Sequence, residues 1–277
     1  MRYTRGMALR FDNQVVWITG ASSGIGRALA LELARQGANL ALSARRVDRL
    51  ESLVQEIEAL GRRALAVPCD VTDEASLRGA VEQLAGHFGG LDVAIANAGF
   101  SITGRIERLD ASDWRRQLDT NVIGVALCAR YALPELRKRC GRLVLIGSIS
   151  AFLPGPGTGA YAASKAAVRS IGATLSVECA GSGVSVTTLH PGFVDSEIAR
   201  VDNQGKFDAT RADKRPARLM WTAERAAQVM ASAIARRERD YPFTGHGKLG
   251  AFFGQHFPAL AQELIARTRR KRNAQAK

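Results

Sequence analysis

Short aliphatic runs alternate with longer helical patterns along the first two-thirds of the chain, and this alternation leaves few folds open. The runs are Val15–Thr19, Asn39–Ala44, Ala64–Val67, Val93–Ala96, Arg142–Ile146 and Val184–Leu189. Most are continuous apolar stretches, as strands covered on both faces must be. Between them the sequence predicts helices over 24–36, 47–60, 73–88, 112–138 and 160–180. In the first of these, Leu29 with Leu33 and Ala30 with Ala34 repeat at the spacing of one helix face. Gly37, Gly61 and Gly89–Gly90 each fall just past a helical pattern, where a residue free to take positive φ ends a helix. Alternation of this kind specifies βαβ units: an α/β doubly wound parallel sheet with helices on both faces. No repeat or linker interrupts it before residue 195, so a single domain is expected over 1–277.

After Gly192 the regularity weakens. Residues 195–221 are polar and mildly basic, then Thr222–Arg239 reads as a helix capped by Thr222. The stretch Leu249–Ile265 carries Phe252, Phe253, Phe257, Leu260, Leu264 and Ile265, of which the last four share one helix face. It leads into Arg267, Arg269, Arg270, Lys271, Arg272 and Lys277, with no acid among the last eleven residues. The net charge is +13, and this tail supplies almost half of it. Such a tail could meet nucleic acid or an anionic membrane surface. It has no interleaved aromatics for stacking on bases, so nucleic acid is not expected as a partner. For 249–272, a cover over the substrate cleft or a subunit contact is favoured over a membrane surface.

Hydrophobic residues make up 46% of the 277 positions, enough for a packed core. No run of 18 apolar residues is present and no apolar core follows Met1–Asn13, so neither a spanning helix nor a secretory leader is expected. Met7 is a second plausible start. Cys69, Cys128, Cys140 and Cys179 form no CxxC pair and read as small buried hydrophobes of a cytoplasmic protein. His87, His246 and His256 show no ligand spacing, so no metal is expected, and His190 reads as a packed histidine at a strand end.

The chemistry begins at Thr19-Gly20-Ala21-Ser22-Ser23-Gly24-Ile25-Gly26, which follows the first strand and opens the first helix. Glycines there let an anion approach bare amides at the positive end of the helix dipole. About twenty residues on, the second strand ends in Ser43-Ala44-Arg45-Arg46. NAD sites commonly place Asp or Glu here for the ribose 2′-hydroxyl. Two guanidiniums instead suit the 2′-phosphate of NADP. Tyr161 and Lys165 stand at i, i+4 on a predicted helix, so the lysine cation favours the phenolate and draws its pKa toward the working range. Ser148 lies just past the fifth strand, Asn97-Ala98-Gly99 follows the fourth, and Asn121 falls within the 112–138 helix.

This set, together with Asp70 and Pro191-Gly192, closely resembles the short-chain dehydrogenase/reductases over residues 12–196. The resemblance implies a Rossmann-type domain of seven parallel strands holding a nicotinamide cofactor, here NADP(H) with NAD less favoured. It implies Tyr161 as general acid/base, with Lys165 lowering its pKa and holding the nicotinamide ribose. Ser148 would bond the substrate oxygen, and Asn121 would hold a water in the proton relay. Cofactor contacts are implied for Gly20, Ser22, Ser23, Gly24, Ile25 and Gly26 in the glycine turn and for Arg45 and Arg46 after it. Further contacts are implied for Asp70 and Val71 near the adenine, Asn97, Ala98 and Gly99, and Pro191, Gly192, Val194 and Ser196. Ser196 stands where the family often has Thr, so a hydroxyl is kept. The expected activity is the interconversion of a ketone or aldehyde with an alcohol by a homodimer or homotetramer. A non-catalytic NADP-binding regulator, or a membrane-surface reductase of a lipid-like substrate, is the alternative. Substrate specificity is expected from 195–221, with Phe152, Leu153, Phe193 and Trp221 suggesting an apolar pocket.

Overall fold

The computed structural model describes residues 10–213 and 215–275, with side chains described as far as Arg267. The side chains of Arg269–Arg272, and Lys277 entirely, lie outside the described residues, as do Met1 and Met7. Seven parallel strands form one sheet in the order β3-β2-β1-β4-β5-β6-β7. They are β1 (Val15–Thr19), β2 (Asn39–Ser43), β3 (Ala64–Ala66), β4 (Val93–Ala96), β5 (Arg142–Ile146), β6 (Ser185–His190) and β7 (Asp240–Pro242). Strand order reverses between β1 and β4, and a crevice opens beyond the carboxyl ends of strands at such a point.

Alternation along β1 builds the two sides of the core. Val16 and Ile18 face α1 (Gly24–Arg35), α2 (Val47–Glu58) and α7 (Ala223–Ala235), packing with Leu29, Leu33, Leu50, Met230 and Ile234. Val15 and Trp17 face α3 (Glu74–Phe88), α5 (Gly124–Lys138) and α6 (Gly159–Glu178), packing with Leu77, Leu84, Leu136 and Val168. Both faces of the central strands are dry, which explains why their sequences read as unbroken apolar runs.

Four expectations are corrected. The helix over 112–138 is two helices, α4 (Ala111–Leu118) and α5, joined by a π-helical turn at Asp119–Ile123 that contains Asn121. The 222–239 helix starts as expected, with Thr222 accepting from the Arg225 amide, but stops at Ala235 so that Asp240–Pro242 can add β7. Leu249–Ile265 is broken at Phe257 into α8 (Gly245–His256) and α9 (Pro258–Gln275), because the residue before a proline is disfavoured in helical geometry. Cys140 is exposed, whereas Cys69, Cys128 and Cys179 are buried, and none is paired. Among the described residues no helix is long and apolar enough to cross a membrane.

Candidate active site

The glycine-rich turn is shaped by close approach. Gly20 takes φ +68°, and a Cβ there would lie 2.8 Å from the Ala98 Cα. A Cβ on Gly26 would collide with the Gly20 carbonyl oxygen and the Asn97 amide. Asn97 locks the turn to the β4 exit by donating to the carbonyls of Thr19 (2.9 Å) and Gly20 (3.2 Å). The Thr19 hydroxyl accepts from the amides of Asn97 and Ala98, both at 3.1 Å. Ser23 is the N-cap of α1 but its side chain makes no capping bond, so the first amides of the helix are left for a ligand.

A cleft of about 800 Å³ runs from this turn along the carboxyl edge of the sheet. Its walls include Gly20, Ser22, Ser23, Gly24, Ile25, Gly26, Arg45, Arg46, Asp70, Val71, Asn97, Ala98 and Gly99, and on the far side Tyr161, Lys165, Pro191 and Ser196. Thus most of the residues singled out in the sequence meet in one place. Asn121, Ser148, Gly192 and Val194 do not line it. Asn121 is fully buried, its Oδ1 accepting from the Phe100 amide and its Nδ2 donating to the Phe100 carbonyl and the Ser164 hydroxyl. Gly192 backs onto Thr244 and His246, and the Val194 carbonyl accepts from Arg215 at 2.9 Å.

Tyr161 and Lys165 project from one face of α6, with the lysine ammonium 5.8 Å from the tyrosine ring centre. Burial raises the Tyr161 hydroxyl above its ordinary value, opposed by a hydrogen bond with Ser148 and by the Arg215 charge. Burial also lowers Lys165 to about 8. Desolvation therefore governs both groups here, and the lysine charge expected to favour the phenolate is not what dominates. The Ser148 hydroxyl accepts from the Ser150 amide at 3.1 Å, which leaves its own proton available for donation. His190 is fully buried as a packed histidine. Its Nε2 meets Asp240 at 2.5 Å and its Nδ1 lies 3.3 Å from the Ser148 carbonyl oxygen.

Several cleft residues were not singled out as site residues in the sequence, Glu197 and Lys206 being legible only as charges of the 195–221 segment: Phe100, Arg116, Glu197, Ile198, Val201, Lys206 and Phe207. All but Phe100 and Arg116 belong to the 195–221 segment, whose base is pinned by pairing of Val194 with Trp221. None of the four residues expected to make an apolar pocket lines this cleft. Phe152 lies edge-on to His190, Leu153 lies against α8 near Gly250, Phe193 stacks on His246, and Trp221 packs against Phe243. Beyond the glycine turn, the cleft is given apolar surface by Phe100, Ile198, Val201 and Phe207.

The uncapped helix start, the glycine approach and the adjoining guanidiniums fit a dinucleotide. The family model described as short chain dehydrogenase matches residues 14–206. An 11-beta-hydroxysteroid dehydrogenase A of Arachis hypogaea is 41% identical over 196 residues, which cover 70% of this chain. The match spans only 55% of that relative's length. A short chain dehydrogenase from Burkholderia cenocepacia J2315, solved in complex with NADP, superposes with a TM-score of 0.74 at 32% identity, covering 84% of this chain and 96% of the other. A short chain dehydrogenase/reductase from Burkholderia phymatum, solved with NAD, gives 0.77 at 29% identity, covering 87% and 92%. The chain belongs to the short-chain dehydrogenase/reductase family of oxidoreductases.

Proposed function

We propose that the protein is an NADP(H)-dependent oxidoreductase that interconverts a ketone or aldehyde with an alcohol, with Tyr161 as general acid and base. The observation that carries this reading is the convergence of Tyr161 and Lys165 of α6 on the cleft that the glycine-rich turn of α1 begins. A nicotinamide dinucleotide bound there supplies or accepts the hydride. In reduction, Tyr161 donates its proton to the carbonyl oxygen, and its raised pKa keeps that proton in place at neutral pH. Ser148, whose O–H is hydrogen-bonded to Tyr161, turns it to the same oxygen and fixes its position. Lys165 spends one N–H on the Ile146 carbonyl and keeps two for the ribose hydroxyls, while its charge supports the phenolate left behind. The side chain of Asn121 is spent on Phe100 and Ser164 and holds the Phe100 main chain at the cleft wall.

Preference for NADP is supported by Arg45, an exposed guanidinium on the cleft rim with no ion pair among the described residues, and by the lack of a carboxylate at the end of β2. A carboxylate there would repel the 2′-phosphate; a guanidinium binds it through charge-assisted hydrogen bonds. Segment 195–221 carries substrate choice, and Phe100, Ile198 and Phe207 point to a carbonyl compound with an apolar body. The unpaired cysteines suit a reducing, cytoplasmic setting. The test is NADPH consumption against a panel of ketones and aldehydes. Turnover by the wild type and none by Tyr161→Phe supports the reading; no turnover of any carbonyl, with cofactor bound, favours a non-catalytic regulator.

We also propose that copies of the chain associate through α8 and α9, where Leu249, Phe252, Phe257 and Leu260 are exposed. These residues do not cover the cleft, which leaves the subunit contact as the favoured role. Light scattering on the wild type and on Phe252→Asp tests it. Monomeric wild-type protein that sediments with anionic vesicles only at low salt assigns the face to a membrane surface instead.

A further inference from the structure

The cluster of guanidiniums at the end of β2 already holds an anion, and the protein supplies it. Glu197 opens a short 3₁₀ turn, Glu197–Arg200, in the segment that follows Pro191-Gly192. Its two carboxylate oxygens reach different arginines across the cleft: Oε1 meets Arg49 Nη1 at 2.6 Å and Oε2 meets Arg46 Nη1 at 3.0 Å. Arg46 in turn donates through Nη2 to the hydroxyls of Ser22 (3.0 Å) and Ser23 (2.8 Å) in the glycine turn. Arg49 also lies over the ring of Phe207, 5.8 Å from its centre. The segment presses against the turn itself, since a Cβ on Gly24 would sit 3.0 Å from the Ser196 Cβ. Apart from Arg49, every residue joined by these contacts lines the cleft.

The two neighbouring arginines are therefore not equivalent. Arg45 is open to solvent with no hydrogen bond or ion pair among the described residues, whereas Arg46 is already committed to a carboxylate. A 2′-phosphate arriving at this rim recruits Arg45 directly, but it gains Arg46 only by displacing Glu197 or by lying beside its negative charge. Either route costs binding energy for a phosphorylated ribose and nothing for a ribose with a free hydroxyl. Burial pushes the Glu197 carboxyl up, but the hydrogen bonds and charges of Arg49 and Arg46 more than reverse this, so Glu197 is a full anion at neutral pH.

We propose that Glu197 is a latch that competes with the 2′-phosphate of NADP for Arg46. It ties the substrate-recognition segment to the cofactor rim, sets how strongly NADP is preferred over NAD, and is released when the phosphate takes the guanidinium. The inference rests on the NADP reading above. Binding of the 2′-phosphate then reaches the substrate side through the chain itself, because Glu197, Ile198, Val201 and Phe207 belong to one segment.

The experiment is fluorescence titration of the full chain with NADPH and with NADH for the wild type, Glu197→Gln and Glu197→Asp. Hydrogen exchange of the 197–207 amides is followed in each complex. Glu197→Gln is expected to tighten NADPH by about threefold to tenfold, the worth of a partly exposed ion pair, and to leave NADH unchanged. Glu197→Asp, too short to span both arginines, is expected to fall between. In the wild type NADPH speeds exchange over 197–207 and NADH does not, whereas in Glu197→Gln the two cofactors give the same pattern. Unchanged or weakened NADPH binding in Glu197→Gln, with the wild type still NADPH-selective, overturns the latch alone. So does an identical effect of both cofactors on wild-type exchange. A wild type that binds both cofactors equally, unaffected by Arg45→Ala, overturns the NADP reading beneath it.

Discussion

The ammonium of Lys165 donates to the carbonyl oxygen of Ile146 across 2.8 Å, from a side chain only 5% exposed. No carboxylate pairs with it among the described residues, and burial lowers it from 10.5 to about 8. Between these two values the unfolded chain binds more protons than the folded one, so stability rises with pH across that window. Below pH 8 both states hold the proton and the whole penalty, about 3 kcal/mol, is present. Lys165→Met is expected to stabilise the fold by about 1–2 kcal/mol at pH 7, after loss of the hydrogen bond to Ile146, and to abolish turnover. The gain should shrink as pH approaches 10.5. Denaturant unfolding at several pH values checks this, and a variant less stable than wild type at pH 7 would refute it.

Tyr161→Phe removes the acid without removing the cleft. Cofactor affinity is expected to change little, while carbonyl reduction falls by at least about 100-fold. In the wild type, kcat/KM for reduction should be level through neutral pH, where Tyr161 keeps its proton, and decline above about pH 8 as Lys165 loses its charge. A decline centred near pH 6 would point to a different acid.

Gly26 and Gly61 separate close approach from backbone strain. A methyl group on Gly26 meets the Gly20 carbonyl and the Asn97 side chain, so Gly26→Ala must open the turn. A loss of about 1–3 kcal/mol and of at least about tenfold in nucleotide affinity is expected. At Gly61, φ is +76° but nothing lies within 4 Å of an added Cβ. Gly61→Ala is expected to cost about 1–2 kcal/mol in thermal unfolding and to leave nucleotide binding intact.

His190 ties the Ser148 main chain to Asp240 of β7. Burial pushes the Asp240 carboxyl up, but the hydrogen bond and charge from His190, with the Arg169 charge, bring it below its ordinary value. That contribution is present above the unfolded value near 3.8 and is lost as pH falls through the lower folded value. His190→Leu is expected to cost about 1–2 kcal/mol at neutral pH, chiefly by leaving the Ser148 carbonyl without its partner, since Asp240 is half-exposed and keeps Arg169. The difference from wild type should narrow below pH 4 in acid-unfolding curves.

What the sequence made legible is what local chemistry dictates. The first six strands and the glycine turn could be placed because doubly covered strands are continuously apolar and because a strand feeding a helix leaves few sites for glycines. Tyr161 and Lys165 were legible because helix spacing alone sets them on one face. Three features depend on tertiary context and were not. β7 is three residues long and includes a half-exposed aspartate and a proline, so only pairing with β6 makes it a strand. The π turn at Asp119–Ile123 leaves no break in the apolar pattern. Glu197 sits 151 residues from Arg46, and nothing local to either marks the pair. The phenylalanines and tryptophan near the cleft were apolar enough to suggest a pocket, yet His190, His246 and Phe243 absorb them.

The most direct test of the account is fluorescence titration of the purified protein with NADPH and NADH beside Arg45→Ala. Tight NADPH binding and weaker NADH binding are expected, with a loss in Arg45→Ala of at least about tenfold for NADPH and little change for NADH, the worth of one charge-assisted contact. Equal affinities that Arg45→Ala leaves untouched would contradict the assignment of NADP, and binding of neither cofactor would contradict the enzyme assignment itself.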